Sequence, residues 1–227
     1  MKRYNQLITV CAISILALTA CNKDRAYKIS CIGDSITFGW TLDNPQKESY
    51  PALLDSAYRQ SGRTNITVQG FGVCGATLGH SCDMPYIKEQ AYQDALASAP
   101  DLVTIMLGTN DSKPQNRIFK AEFTQDLDNM VKAFSSLESK PKIVLMTPPH
   151  AFSQGWAIND SVLECDIRPI IREYARNNSI SIINLDQEFT DNPEMFSDGI
   201  HPNKAGQELI CSSISKTLLE YLKEKKD

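Results

Sequence analysis

The feature that most constrains this chain is a regular alternation of short apolar runs with longer amphipathic stretches over most of its length. Short apolar runs predict strands, and apolar residues at helical spacing predict helices. The predicted strands are 27–33, 66–69, 101–107, 142–147 and 180–185. The predicted helices are 50–60, 84–97, 119–137, 162–177 and 204–223, and Pro169 is expected to kink the fourth or to mark its start.

This order of elements predicts a fold class. Parallel strands joined by helices need right-handed crossovers, which place helices on both faces of the sheet. The run 101–107 has few polar residues, as expected for a strand that is covered on both faces. We therefore predict an α/β fold, a three-layer α/β/α sandwich around a five-stranded parallel sheet.

The first 26 residues precede this pattern and differ from it. Met1-Lys2-Arg3 is followed by an apolar stretch, 7–18, which has the layout of a secretory signal and is too short to span a membrane. Small residues stand directly before Cys21, an arrangement that resembles a bacterial lipobox, and a plain secretory signal is the alternative. The predicted segments are a lipoprotein signal peptide over 1–20, an acylated Cys21 with a tether over 21–26, and one domain over 27–223.

The leader also determines the expected location and charge of the mature protein. An acylated Cys21 predicts an exported, membrane-anchored lipoprotein of the bacterial cell envelope, on its periplasmic or surface face. The chain has a net charge of −4, and loss of Lys2 and Arg3 with the leader makes this −6. A negative protein is a poor partner for nucleic acid, and no basic run favours anionic lipid. Membrane attachment is therefore expected through Cys21.

Cysteine usage bears on disulfides and metals. Five of the seven Cys remain once Cys11 leaves with the leader and Cys21 serves as the anchor. An oxidising compartment favours disulfides, and Cys74 with Cys82 is the pair closest in sequence, but the sequence does not determine the connectivity. No stretch has the ligand spacing of a metal site, such as Cys-x-x-Cys or His-Glu-x-x-His. We expect neither a metal nor a cofactor.

Polar residues or glycines follow three predicted strands, at the edge where open parallel sheets bind ligands. Ser35 comes directly after the first strand, where its hydroxyl is exposed above the sheet and a following helix points its N-terminus toward negative charge. Asn110 follows the third strand, where an amide is a suitable donor to an oxyanion. Gly72 and Gly75 follow the second, where glycines let backbone N–H groups turn toward a ligand.

A fourth polar cluster lies just before the last predicted helix. Asp198 stands three residues ahead of His201, so its carboxylate can accept the Nδ1 proton and leave Nε2 as a general base toward a serine. Each of the four clusters alone is also ordinary turn, capping or loop chemistry. Together they supply a nucleophile, a base with an orienting acid, and oxyanion donors.

Four sequence blocks together resemble those of the SGNH (GDSL) hydrolases, over essentially the whole mature chain: Gly33-Asp34-Ser35, Gly72-x-x-Gly75-x-Thr77, Gly108-x-Asn110-Asp111 and Asp198-x-x-His201. The resemblance implies the flavodoxin-like fold of that family and ester hydrolysis without a cofactor. It implies Ser35 as nucleophile, His201 as base and Asp198 as its orienting acid. The implied oxyanion donors are the backbone N–H groups of Ser35 and Gly75 and the side chain of Asn110. Asp34 and Asp111 are expected to hold loops together, and Cys74 stands where the family often has a small polar residue.

The substrate is less constrained, because one fold hosts many activities. The stretch 108–116 resembles carbohydrate acetylesterases of this family, which implies removal of small acyl groups, acetyl above all, from a glycan or small-molecule ester. Trp40 and Trp156 are candidates to stack on a sugar face, and packing is the equal alternative. Other functions that fit the sequence are a thioesterase or lysophospholipase of longer acyl chains and an inactive glycan-binding lipoprotein. A metallophosphoesterase built on Asp34, Asn110, Asp111 and His201 lacks the further His ligands of a two-metal site.

Overall fold

The structure of the protein is a computed structural model that describes residues 25–224. The predicted leader over 1–20, the acylated Cys21 and most of the tether over 21–26 lie outside the described residues. Within 25–224, no helix is both long enough and apolar enough to cross a lipid bilayer.

Five strands form one sheet in the order β2-β1-β3-β4-β5. All four strand pairs are parallel, so each connection crosses over the sheet. The predicted α/β class with a five-stranded parallel sheet is confirmed. The strands are β1 Tyr27–Gly33, β2 Ile66–Gly72, β3 Leu102–Met106, β4 Lys142–Met146 and β5 Ser181–Ile183.

Helices connect the strands and cover both faces of the sheet. They are α1 Ser35–Phe38, α2 Pro45–Glu48, α3 Tyr50–Gln60, α4 Gln90–Ala97, α5 Pro114–Arg117, α6 Phe123–Ser135, α7 Asp160–Val162, α8 Arg168–Asn177, α9 Leu185–Glu188 and α10 Lys204–Glu224. Short 3₁₀ turns lie at Tyr86–Lys88, Asn110–Ser112, Gly155–Ala157 and Pro193–Met195, and a π turn at Leu163–Ile167 joins α7 to α8.

The core consists of two hydrophobic clusters, one on each face of the sheet. Alternate residues of β3 enter different clusters: Val103 and Ile105 pack with α4, α6 and α8, whereas Leu102 and Met106 pack with α3 and α10. All five residues of β3 are buried. This double burial explains why the run is largely apolar rather than alternating, and it places β3 at the centre of three layers.

The predicted helix 84–97 is wrong in its first half. It contains the 3₁₀ turn Tyr86–Lys88, and α4 begins only at Gln90. Backbone hydrogen bonds from Tyr86 N–H to Thr77 and from Thr77 N–H to Met84 hold the chain extended just before that turn. Helical spacing of apolar residues could not reveal this pairing with the preceding loop.

Other boundaries differ by a few residues. Helix α6 begins at Phe123 rather than at position 119, and β2 continues to Gly72 rather than ending at position 69. The longer β2 reflects its full pairing with β1, in which Gly72 lies opposite Gly33. Pro169 lies at the start of α8, directly after the π turn, so the helical stretch continues without a break.

Candidate active site

The residues predicted at three strand ends meet at one edge of the sheet. β1 lies between β2 and β3, so strand order reverses there, which is where open α/β sheets bind ligands. Ser35 follows β1, Gly75 follows β2 and Asn110 follows β3. All three line one cleft of about 340 Å³, and His201 lines it as well.

A tight turn from β1 into α1 presents Ser35 to this cleft. Asp34 caps the helix, since its Oδ1 accepts a hydrogen bond from the N–H of Ile36 at 2.9 Å. Gly33 is needed because a Cβ there would lie 2.0 Å from Oγ1 of Thr37. The helix has only four residues, so its dipole is weaker than the sequence suggested.

A second tight turn brings His201 against Ser35. Oγ of Ser35 lies 2.9 Å from Nε2 of His201. Nδ1 of His201 lies 2.7 Å from Oδ2 of Asp198. The other carboxylate oxygen of Asp198 accepts the N–H groups of Ile200 and His201, at 2.9 and 2.8 Å. A continuous hydrogen-bond chain therefore joins Ser35, His201 and Asp198.

The short loop that carries this pair is fixed by backbone contacts. Phe196 and Pro202 form an antiparallel bridge, and the N–H of Ser197 donates to the carbonyl of His201 at 2.9 Å. Gly199 has a φ of +81°, a conformation that favours glycine. These contacts explain why a spacing of Asp, two residues and His folds back on itself.

Asp198 is held in its charged form. Its partial burial opposes ionisation, but hydrogen bonds from the His201 ring and from the N–H groups of His201 and Ile200 lower the pKa of Asp198 to about 2. The charged carboxylate fixes the Nδ1 proton of His201 and directs Nε2 toward Ser35. The His201 side chain is only 7% exposed, so water competes little for these bonds.

Gly75 and Asn110 lie on the same cleft as the Ser35 hydroxyl. Gly75 has a φ of +85°, in the left-handed region that glycine adopts readily. Asn110 is buried, and its Nδ2 donates to the Ala76 carbonyl at 3.0 Å. An amide nitrogen carries two hydrogens, so the second remains for a group bound in the cleft.

Both predicted tryptophans line the cleft, but they differ in their contacts. The Trp40 and Trp156 rings meet edge to face with centroids 6.3 Å apart. Trp156 also packs against the His201 ring at 6.2 Å, and its Nε1–H donates to Oδ2 of Asp198 at 3.2 Å. Trp156 therefore contacts the His–Asp pair itself, which nothing in the sequence indicated.

The two acidic residues beside the predicted site bind backbone groups. Asp111 accepts the N–H groups of Leu78 and Gly79 at 3.0 and 2.8 Å, which ties the loop after β2 to the end of β3. Burial raises the pKa of Asp111 to about 6 in spite of these hydrogen bonds. Burial likewise raises the pKa of Asp34, and the Ile36 N–H partly offsets it.

Asp34, Asn110, Asp111 and His201, the residues of the metallophosphoesterase alternative, are not grouped as metal ligands within 25–224. Asp34 and Asp111 direct carboxylate oxygens at backbone N–H groups. Within 25–224, two side-chain groups have the spacing of metal ligands, and neither contains a residue of the predicted site. They are His80 with Glu122 and Asp126, and His150 with Glu164 and Asp186.

The candidate disulfide is not formed, since Cys74 and Cys82 both carry free thiols. Cys74 lines the cleft. Cys82 faces elsewhere, with its sulfur 3.8 Å from the carbonyl oxygen of Asn116 and 4.0 Å from Oδ1 of Asp111. Closeness in sequence therefore did not place the two thiols together.

One buried polar residue behind the site escaped the sequence analysis. Gln207 is fully buried on α10, and its amide donates to the Ile36 carbonyl at 3.0 Å while its carbonyl accepts the Tyr50 N–H at 2.8 Å. It thus joins the last helix to α1 behind Ser35. The available signal was its position on the apolar stripe that continues through Ile210 and Ile214.

Fold and site together define a class of protein: a hydrolase with a parallel α/β fold that places a serine, a His–Asp pair, a glycine and an asparagine on one cleft. Comparison with known families leads to the same class. Residues 31–209 match the GDSL-like lipase/acylhydrolase family, and the chain belongs to this family.

Known relatives include esterases with carbohydrate substrates in their names. An acetylxylan esterase from Xylanibacter ruminicola is 37% identical over 86% of this chain and 44% of its own length. The crystal structure of a lipase/acylhydrolase from Enterococcus faecalis superposes with a TM-score of 0.70 at 25% identity, covering 85% of this chain and 95% of that one.

The fold is also shared with an acetylxylan esterase from Geobacillus stearothermophilus, with a TM-score of 0.65 at 19% identity over 86% of this chain and 94% of that one. The chain spans less than half the length of the curated relatives that it matches, 44% of one and 33% of another.

Proposed function

We propose that the protein is a serine esterase that removes acetyl groups from carbohydrates. One observation carries the proposal: Ser35 Oγ, His201 and Asp198 form a continuous hydrogen-bond chain, with distances of 2.9 and 2.7 Å, on a cleft that Gly75 and Asn110 also line. A nucleophile, an oriented base and oxyanion donors at one place are the requirements for acyl transfer.

The proposed reaction has two steps. Ser35 Oγ attacks the ester carbonyl carbon while His201 Nε2 takes its proton. The resulting oxyanion rests on the backbone N–H groups of Ser35 and Gly75 and on the Asn110 amide. His201 then protonates the leaving alcohol, and the carbon–oxygen bond to that alcohol breaks, leaving an acyl enzyme.

Water completes the cycle by the same groups. His201 removes a proton from a water molecule, which attacks the acyl enzyme, and Ser35 leaves with that proton as acetate is released. Asp198 remains charged throughout, since the low pKa of its carboxyl keeps it ionised, and it stabilises the imidazolium that forms twice.

The small acyl group and the glycan are supported by the cleft and by the relatives. The cleft is lined by the buried side chains of Ile158 and Ile200 and by the partly exposed rings of Trp40 and Trp156, so that apolar and aromatic surface lies near Ser35. Aromatic faces suit the C–H side of a sugar ring. The relative from Xylanibacter ruminicola is named an acetylxylan esterase, and acetylxylan is an acetylated glycan.

Hydrolysis of p-nitrophenyl acetate, butyrate and octanoate by the leaderless domain tests this proposal, with Ser35→Ala as the matched variant. We expect the acetate ester to be cleaved fastest and Ser35→Ala to be inactive. Octanoate cleaved fastest would replace the acetylesterase with the thioesterase or lysophospholipase alternative. Equal inertness of both proteins would favour the inactive glycan-binding lipoprotein.

We also propose that the protein is an exported lipoprotein of the bacterial cell envelope, attached to its membrane through an acylated Cys21. The basic start, the apolar stretch 7–18 and the small residues before Cys21 support this. Expression of the full chain beside Cys21→Ser, followed by membrane fractionation and mass spectrometry of the N-terminus, is the test. A membrane fraction unchanged by the substitution would contradict the anchor.

A further inference from the structure

A second groove, of about 460 Å³, adjoins the cleft that holds Ser35. It is formed mainly by one segment, 151–161, together with Pro114. Its members are Pro114, Ala151, Phe152, Ser153, Gln154, Ala157, Ile158, Asn159, Asp160 and Ser161. No residue placed in the reaction above lies in this groove.

The groove is continuous with the cleft. Ile158 lines both of them. Lys113 and Trp156 line the cleft, and their chain neighbours Pro114 and Ala157 line the groove. A substrate held at Ser35 that extends past Trp156 would therefore enter the groove.

The chemistry of the groove suits a sugar better than an acyl chain. Phe152 is 36% exposed, and its ring packs against Phe196 at 5.1 Å, which leaves it fixed and partly open. Gln154 and Ser161 are exposed, and neither side chain has a hydrogen-bond partner within 25–224. An open trough of aromatic, amide and hydroxyl groups offers a pyranose both a stacking surface and hydrogen bonds, whereas an acyl chain needs an enclosed apolar channel.

The groove is also preformed. Arg168 is fully buried and donates to the carbonyl groups of Pro148 and Pro149, at 3.0 and 2.7 Å, and to Asp160 at 2.8 Å. Asp160 in turn accepts the N–H of Ala151 at 2.9 Å. These bonds hold both ends of the segment 151–161, so little ordering would accompany binding.

We propose that this groove binds the sugar residues that neighbour the acetylated one, so that the substrate is an acetylated oligosaccharide or polysaccharide rather than a monosaccharide ester. The inference rests on the proposed esterase activity and adds the size of the substrate to it. Gln154 and Ser161 are the specificity-determining side chains of the second site.

Steady-state kinetics on substrates of increasing length test this. The probes are p-nitrophenyl acetate, an acetylated methyl xyloside, and acetylated xylobiose and xylotetraose. The proteins are wild type, Gln154→Ala/Ser161→Ala, and Gln187→Ala as a control for an exposed glutamine outside the groove.

We expect kcat/KM of the wild type to rise by about tenfold from the xyloside to the tetraose, as one or two added hydrogen bonds would give. The double variant should lose most of this rise, with KM increased and p-nitrophenyl acetate hydrolysis unchanged. The Gln187→Ala control should match wild type on every substrate.

A wild type indifferent to length, or a double variant that equals wild type on the tetraose, would overturn the groove proposal while leaving the esterase intact. Failure of the esterase proposal has a different signature, namely no Ser35-dependent hydrolysis of p-nitrophenyl acetate. Loss of p-nitrophenyl acetate hydrolysis in the double variant would also contradict the groove, because the residues would then act on the reaction centre.

Discussion

Among residues 25–224, two Ser–His–Asp hydrogen-bond chains are present, and the first of them lies on the cleft. In the first, Ser35 and Asp198 flank His201 at 2.9 and 2.7 Å. In the second, Nε2 of His80 lies 3.2 Å from Oγ of Ser81, and Nδ1 lies 2.9 Å from Oδ1 of Asp126. The order of atoms is the same in both.

Their surroundings differ. The His201 side chain is 7% exposed, whereas that of His80 is 52% exposed and meets a second carboxylate, Glu122, at 3.5 Å. Ser35 begins a helix at the end of a central strand and shares its cleft with Asn110. Ser81 merely follows His80 in sequence, in an irregular loop.

The difference shows that the hydrogen-bond chain is the less selective part of such a site. The imidazole of His80 is largely exposed and therefore solvated, and Ser81 lies in a loop rather than at the carboxyl end of a strand, where oxyanion donors can be brought together. Burial and position at the sheet edge distinguish the first chain from the second.

The largest expected effect comes from removing each histidine in turn. His201→Ala should lower kcat on p-nitrophenyl acetate by a factor on the order of 10⁴ to 10⁶, because Ser35 loses its base. His80→Ala should retain wild-type activity. Activity that depends on His80 as strongly as on His201 would remove the distinction drawn between the two chains.

The next largest effect tests Asn110, which lines the same cleft as the first chain. Asn110→Ala should reduce kcat by about 10² to 10³ with little change in KM, since the lost hydrogen bond strengthens only as the oxyanion forms. Circular dichroism should show an unchanged fold. An increase in KM alone would instead make Asn110 a substrate-binding residue.

A smaller effect concerns Asp111. Its carboxylate accepts the N–H groups of Leu78 and Gly79, just ahead of His80, and so links the second hydrogen-bond chain to the end of β3 near the cleft. Because the pKa of Asp111 is raised to about 6, the native state binds a proton that the unfolded state releases near pH 4. The free energy of unfolding should therefore fall as pH rises from 4 to 6, by at most about 3 kcal/mol.

Urea denaturation at several pH values measures this. Asp111→Asn should flatten the curve between pH 4 and 6, whatever its overall stability. Asp198 provides a contrast of opposite sign, since its pKa is lowered to about 2 and its contribution is lost only as pH falls below about 4. A slope that persists in Asp111→Asn would assign the titration to another group.

The smallest expected effect compares the two tryptophans of the cleft. Trp156→Phe removes the N–H that binds Asp198, so one fewer hydrogen bond holds the carboxylate in place beside His201. We expect kcat on p-nitrophenyl acetate to fall by a factor of about two to ten. Trp40→Phe alters the same aromatic pair without touching Asp198 and should leave kcat unchanged.

Much of the fold could be predicted from local pattern, because periodicity is a property of neighbouring residues. The near-continuous apolar run of β3 predicted a strand covered on both faces, and its five residues are all buried. The segment 84–97 could not be predicted in the same way, since hydrogen bonds to Thr77 hold the chain extended just before the 3₁₀ turn Tyr86–Lys88, and α4 begins only after that turn. Pairing of this kind with a preceding loop leaves no mark on the periodicity of apolar residues.

The sequence by itself determined the α/β class and identified Ser35, Gly75, Asn110, Asp198 and His201 as candidates, because a strand end, a glycine turn and a short Asp-to-His spacing are local features. Only the tertiary structure decided which histidine meets a buried serine, that Cys74 and Cys82 stay apart, and that Trp156 contacts Asp198 from 42 residues away. Those outcomes depend on how separate segments approach one another, and that approach is set by packing of the whole chain.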